Sequence, residues 1–236
     1  MSLSEHPVGS VCWIDLGIVD VNAAAAFYGQ LFGWAVATPD ESGYRLASLH
    51  GHLVAALGPA NDPGAPYWTV YLHTADIAAS VDAVTAAGGT VVVPPARAAD
   101  AGVSAAVRDP RGAPLSLWQP GTHSGTYASG KHGTLAGIQL HIDDLEDTRD
   151  FLRAALGWQV QPGGTITRQG RTVATWSPRP GTGRSPRPSP WLVSFCVADV
   201  AATCERALKL GATAPGLEPN VLVDPAGALF AITSKP

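Results

Sequence analysis

The stretch DVNAAAAFYGQLFGW, residues 20–34, decides how this chain is read, because the chain runs it a second time. Its counterpart is DLEDTRDFLRAALGW, residues 144–158. Asp144, Phe151, Gly157 and Trp158 each stand 124 residues after Asp20, Phe27, Gly33 and Trp34. Trp191, Asp199 and Gly211 stand 123 residues after Trp68, Asp76 and Gly88. Asp224-Pro225-Ala226-Gly227 follows Asp109-Pro110-Arg111-Gly112 by only 115 residues, so the second half is shortened before its last strand. Repeats of this kind organise a whole chain, and the plain reading is a duplication.

A shorter repeat lies inside each half. Asp20–Gly33, Asp76–Gly88, Asp144–Gly157 and Asp199–Gly211 bracket four helix-like segments. Aspartate suits a helix start because its carboxylate accepts orphan backbone N–H groups, and glycine suits the end because it adopts left-handed backbone. Between the brackets, apolar residues fall at helical spacing, as in Val21, Ala24, Phe27, Tyr28 and Leu31. Cys204 falls on such a stripe and is expected in the core. His50-Gly51 and Gln169-Gly170 interrupt strand-like runs and predict hairpins, leaving His50 and His52 in solvent. Each unit therefore reads β-α-β-β-β, and four units cover roughly residues 10–59, 67–119, 135–177 and 190–234. The fold class is α+β.

Hydrophobic residues make up 46% of the 236 residues and charged residues only 14%, which excludes a disordered chain. Net charge is −4, with 15 Lys+Arg against 19 Asp+Glu, so no broad basic face is expected to bind nucleic acid. No apolar run approaches the roughly 18 residues needed to span a bilayer. Residues 1–9 carry no basic segment followed by an apolar stretch, so a cytoplasmic protein is expected. Three cysteines, Cys12, Cys196 and Cys204, form neither a disulfide framework nor a zinc pattern. The segment 121–134 is rich in Gly, Ser and Thr and reads as a linker between domains over 8–120 and 135–236. Residues 177–190 set Arg179, Arg184 and Arg187 among prolines and glycines, an exposed loop by its composition.

Four such tandem units, with Phe27-Tyr28 seven residues after Asp20 and Gly33-Trp34 closing the helix, resemble the vicinal oxygen chelate superfamily. That superfamily contains glyoxalases, extradiol dioxygenases and bleomycin-resistance proteins. Trp13-Ile14-Asp15-Leu16, Asp109-Pro110-Arg111-Gly112 and Leu115-Ser-Leu-Trp-Gln119 carry the same likeness. The resemblance implies two glyoxalase-like domains with curved, cup-shaped mixed sheets whose concave faces bind the ligand. It also implies where metal ligands stand: seven residues before a helix-capping Asp, and four after the Gly of the Asp-Pro-x-Gly turn. Those positions hold Trp13, Thr69, Gly137, Leu192, Ser116 and Ala231, none of them a good ligand for a divalent ion. The five glutamates, Glu5, Glu41, Glu146, Glu205 and Glu218, all fall outside the expected strands. The expectation is a protein without metal or other cofactor.

Strand residues alternate between faces. If the implied ligand positions face the cup, so do Asp15 and Gly17; Tyr71 and His73; Gln139 and His141; Ser194 and Cys196; and Trp118 and Thr233. Trp13, Thr69, Tyr71, Ser116, Trp118, Gln139, Ser194 and Cys196 are then the expected ligand-binding residues. Asp15, His73 and His141 are the candidates for acid–base chemistry, since such work needs a titrating group within reach of a substrate proton. Each has a structural alternative: indoles fill cores, and Asp15 serves equally as a buried paired carboxylate. Two functions follow. One is a binding protein that sequesters a small, partly aromatic molecule such as an antibiotic. The other is a metal-free cyclase, isomerase, lyase or hydrolase. A metal-dependent glyoxalase or dioxygenase fits least. A monomer with internal pseudo-symmetry and a homodimer both suit the pattern. Whether the first unit pairs with the second or with the fourth is not written in the sequence.

Overall fold

The computed structural model describes residues 6–60, 66–126, 130–142, 144–178, 191–216 and 218–234. Arg179, Arg184 and Arg187 lie outside them. The first repeat unit comprises β1 (Val11–Ile18), α1 (Val21–Phe32), β2 (Ala35–Val36), β3 (Arg45–Leu49) and β4 (His52–Pro59). The second comprises β5 (Tyr67–His73), α2 (Ile77–Ala86), β6 (Thr90–Ala98), β7 (Gly102–Arg108) and β8 (Pro114–Pro120). The third comprises β9 (Thr134–Ile142), α3 (Leu145–Leu156), β10 (Gln159–Val160), β11 (Thr165–Arg168) and β12 (Arg171–Pro178). The fourth comprises β13 (Trp191–Cys196), α4 (Val200–Lys209), β14 (Val221–Val223) and β15 (Leu229–Thr233), one strand fewer. Where its counterparts begin a strand, Pro215, Gly216 and Pro219 interrupt the chain, and among the described residues only an isolated bridge, Thr213 to Val223, forms.

All four aspartates cap their helices as their residue type dictates. Asp20, Asp76 and Asp199 accept from Ala23 N, Ala79 N and Ala202 N, and Asp144 accepts from Glu146 N and Asp147 N. Helices α1 and α3 end on Gly33 and Gly157, with φ of 79° and 66°. Both predicted hairpins turn on a left-handed pair, His50-Gly51 and Gln169-Gly170. On α4 the buried face is Thr203 and Ala207, while Cys204 is only half-buried; the stripe is rotated by one residue from the expected one.

Two open mixed sheets result. The eight-stranded sheet runs β2-β3-β4-β1-β5-β8-β7-β6, and the seven-stranded sheet runs β10-β11-β12-β9-β13-β15-β14. Each sheet thus joins two consecutive repeat units. Compactness divides the chain differently. One compact unit holds Met1–Trp13, Thr69–Gly125 and Gln139–Arg179; the other holds Ile14–Trp68, Thr126–Ile138 and Pro180–Pro236. The second and third repeats therefore share one compact unit, and the first and fourth share the other.

Each compact unit has one indole that ties a helix end to a strand entrance. In the first, Trp158 is fully buried and its Nε1 donates to Gly9 O at 2.8 Å. In the second, Trp34 Nε1 donates to Gly133 O at 2.7 Å. Gly133 stands 124 residues after Gly9, as Trp158 does after Trp34, so the two bonds are copies of each other. The second unit adds an aromatic core in which Tyr28 stacks on Trp34 at 5.4 Å and Trp68 meets Phe195 edge-on at 5.3 Å. Tyr28 also donates its hydroxyl to Asp224 Oδ2 at 2.9 Å. No helix among the described residues is long and apolar enough to cross a membrane.

Candidate functional site

The face of β5 that the sequence assigns to the site alternates with the core. Trp68, Val70 and Leu72 are buried, whereas Thr69, Tyr71 and His73 are half-buried. Strand β8 lies parallel to β5, with Tyr71 opposite Ser116 and His73 opposite Trp118. The first compact unit therefore presents Thr69, Tyr71, His73, Ser116 and Trp118 on adjacent strands. Trp13 joins them through a shared neighbour, His123. The Trp13 and His123 rings meet edge-on at 4.6 Å, and Trp118 and His123 at 5.9 Å. Trp118 is fixed further, since its Nε1 donates to His123 O at 2.9 Å.

Gly102 makes room for that indole. A Cβ there would stand 2.6 Å from Trp118 Cζ2 and 2.6 Å from Gln119 O, closer than real side chains approach. Gly102→Ala is expected to push the Trp118 ring aside and to destabilise the fold by about 1–3 kcal/mol. Near-ultraviolet circular dichroism and a urea midpoint check this; an unchanged tryptophan signal contradicts the placement of the ring.

The three candidates for acid–base chemistry are divided between the compact units, His73 and His141 falling in the first and Asp15 in the second. Asp15 and His73 lie on the eight-stranded sheet, but in different compact units, and His141 lies on the seven-stranded sheet. Asp15 is buried in the second unit, where its Oδ2 accepts from the Tyr44 hydroxyl at 3.2 Å. Tyr44 reaches it by lying across Gly58, where a Cβ would come within 2.8 Å of the phenol ring. An Asp40-centred turn holds Tyr44 in place, with Tyr44 N donating to Asp40 Oδ1 at 2.9 Å. In the first unit His73 Nδ1 donates to His6 O. His141 is buried on β9 opposite Ser177, and Gln139 is half-buried opposite Thr175. Ser194 lies opposite Ala231, and buried Cys196 donates to Gly130 O at 3.5 Å.

The residues at the implied metal positions do not fit a metal. Leu192 and Ala231 pack with Val221 and Leu229 as an apolar cluster. Trp13 is in ring contact with His123, and Thr69 and Ser116 offer only hydroxyls. Among the described residues no group of three His, Cys, Asp or Glu could hold an ion. Cys12 is buried, which pushes its thiol up to about 12, and its Sγ donates to Tyr71 O at 3.5 Å.

Tyr44, beside Asp15 in the second unit, and His123, beside Trp13 and Trp118 in the first, were not among the sequence candidates. Gly58 was the only trace of Tyr44. His123 hid in the segment read as linker, which folds back as Gly121 N, Thr122 N and His123 N donate to Ala101 O, Asp100 O and Ala101 O.

Known proteins agree with this architecture. A family model described as a glyoxalase-like domain matches residues 13–118 and again 138–233. The anthracycline biosynthesis protein DauV of a Streptomyces species is 35% identical over 98% of this chain and 94% of its own length. A putative glyoxylase, CFP32 of Mycobacterium bovis, is 33% identical over 97% of this chain and 96% of its own. Among solved structures, a Mn(II)-bound glyoxalase from Novosphingobium aromaticivorans superposes with a TM-score of 0.66 at 18% identity, covering 95% of this chain and 81% of that one. The 2,2',3-trihydroxybiphenyl 1,2-dioxygenase of Sphingomonas wittichii gives 0.62 at 17%, covering 96% and 91%. At such identities these structures speak to the fold alone.

Proposed function

Because the chain belongs to the glyoxalase-like family of the vicinal oxygen chelate superfamily, we propose that it is a metal-independent member that binds a small, planar aromatic molecule of secondary metabolism. The observation that carries this reading is the pair of indoles, Trp13 and Trp118, gathered about one imidazole on the strand face that carries Thr69, Tyr71 and Ser116. Aromatic walls with a few convergent polar groups suit a small organic ligand. The likeness to DauV supports the ligand class, since anthracyclines carry a planar fused-ring quinone. Holding such a molecule needs shape and stacking, not a metal.

A second reading is a cofactor-free proton-transfer enzyme. The Asp15–Tyr44 pair favours it, because a carboxylate and a phenol within hydrogen-bond reach can pass a proton. Incubation with anthracycline precursors followed by mass spectrometry separates the two. A binder returns them unchanged; an enzyme returns a new species or a chromatographically distinct isomer. If turnover occurs, Asp15→Asn is expected to slow it by about 10²–10⁴-fold, with His73→Gln and His141→Gln as the parallel tests. Trp118→Ala is expected to weaken binding by about 1 kcal/mol or more. Full affinity in both Trp13→Ala and Trp118→Ala would place the ligand elsewhere.

A further inference from the structure

Unlike Trp13 and Trp118, which stand on β1 and β8, His123 is not supplied by a strand. It comes from the segment after β8, and its backbone is latched: its N donates to Ala101 O at 3.1 Å, and its O accepts from Trp118 Nε1 at 2.9 Å. Its ring lies against both indoles. Its Nε2 is shut away from solvent and finds no hydrogen-bond partner among the described residues. A buried ring nitrogen without a partner is costly. Burial and the neighbouring His6 hold the imidazole below its ordinary pKa, so it packs in neutral form. His73 is the other titrating group nearby, tied to His6 O through its Nδ1.

We propose that the His123 side chain is a displaceable plug, occupying the indole surface that an aromatic ligand takes over when the imidazole swings out. This rests on the aromatic-binding reading above and adds its regulation. The latch involves only backbone atoms of residue 123, so the movement is confined to side-chain rotation. The orphan nitrogen destabilises the closed form, and swinging into water satisfies it. The ligand then replaces one aromatic ring contact with another, larger one. A plug of this kind lowers apparent affinity by the fraction of molecules that are open.

Two substitutions at this position give opposite signs. His123→Ala keeps every backbone bond and removes the plug. His123→Phe keeps a ring of similar shape and removes the orphan nitrogen, so the closed form gains. The probe is quinizarin, a planar hydroxyquinone, followed by quenching of indole fluorescence. His123→Ala is expected to bind more tightly than wild type, by about tenfold if the plug is closed nine-tenths of the time. His123→Phe is expected to bind about tenfold more weakly, in keeping with the cost of one unpaired buried group. Weaker binding by both variants would make His123 a ligand anchor and overturn the plug, as would equal affinity in all three proteins. Either result leaves aromatic binding standing. Failure of all three proteins to bind overturns the aromatic-binding reading and the plug together.

Discussion

Truncating Trp158 to alanine is expected to cost about 3–5 kcal/mol of folding stability, the range for removing a large aromatic from a core. The indole is fully buried, and its Nε1 is the hydrogen-bond donor to Gly9 O at the entrance to β1. Alanine leaves both a cavity and a carbonyl without that partner. Trp158→Phe isolates the second effect and is expected to cost about 1–2 kcal/mol, mostly the lost hydrogen bond. The matching substitutions of Trp34 are expected to fall in the same ranges, because Trp34 and Gly133 repeat the same bond. Urea unfolding of the four variants checks this. A Trp158→Ala protein within about 1 kcal/mol of wild type would show that the indole bears little of the load.

Asp224→Ala is expected to cost about 3 kcal/mol or more. One carboxylate there accepts from Tyr28 Oη, Ala226 N and Ala228 N, all at 2.9–3.0 Å. Removing it leaves three donors to find new partners, and each buried donor left unpaired costs about 1–3 kcal/mol. Asp224→Asn preserves an acceptor for the two amides but sets an NH2 group against the Tyr28 hydroxyl, whose buried proton loses its acceptor, so a cost of about 1–3 kcal/mol is expected to remain.

The pH dependence separates these variants further. Burial, the largest influence, raises the Asp224 carboxyl above its ordinary value, although its hydrogen bonds with Ala228, Tyr28, Ala226 and Gly227 pull the other way. A folded-state pKa raised above the unfolded one contributes stability that is fully present below the unfolded pKa of about 4. That contribution disappears as pH rises through the raised value. Between pH 4 and neutrality the wild type is therefore expected to lose stability relative to Asp224→Asn. A constant difference between the two across that window would contradict the buried-carboxylate account.

Much of the fold is legible in the sequence because its signals are local. Asp20, Asp76, Asp144 and Asp199 cap helices using their own side chains, and His50-Gly51 and Gln169-Gly170 turn hairpins through their own backbone. The constant spacing of these marks carries the repeat. What stays hidden depends on distant backbone. Trp34 and Trp158 stand out as Gly-Trp motifs, yet their acceptors are peptide carbonyls at Gly133 and Gly9, which no side chain advertises. The same holds for the grouping of repeats into compact units, which follows from packing rather than from chain order.

The site shows the same division. Alternation along β5 places Thr69, Tyr71 and His73 on one face, and the register with β8 adds Ser116 and Trp118. His123 was invisible because a lone histidine among Gly, Ser and Thr has no periodicity to betray a fold-back. Its position is set by the turn at Asp100–Ala101 that captures residues 121–123. Gly102 and Gly58 are the sequence traces of Trp118 and Tyr44, since each leaves the space its aromatic neighbour fills.

The most direct test of the central claim is a quinizarin titration of protein stripped of metal by chelation and dialysis, read by indole fluorescence with and without added Mn²⁺. Saturable quenching in the stripped protein, unchanged by the ion and reduced in Trp13→Ala and Trp118→Ala, is the predicted result. Binding that appears only when Mn²⁺ is restored would contradict the account.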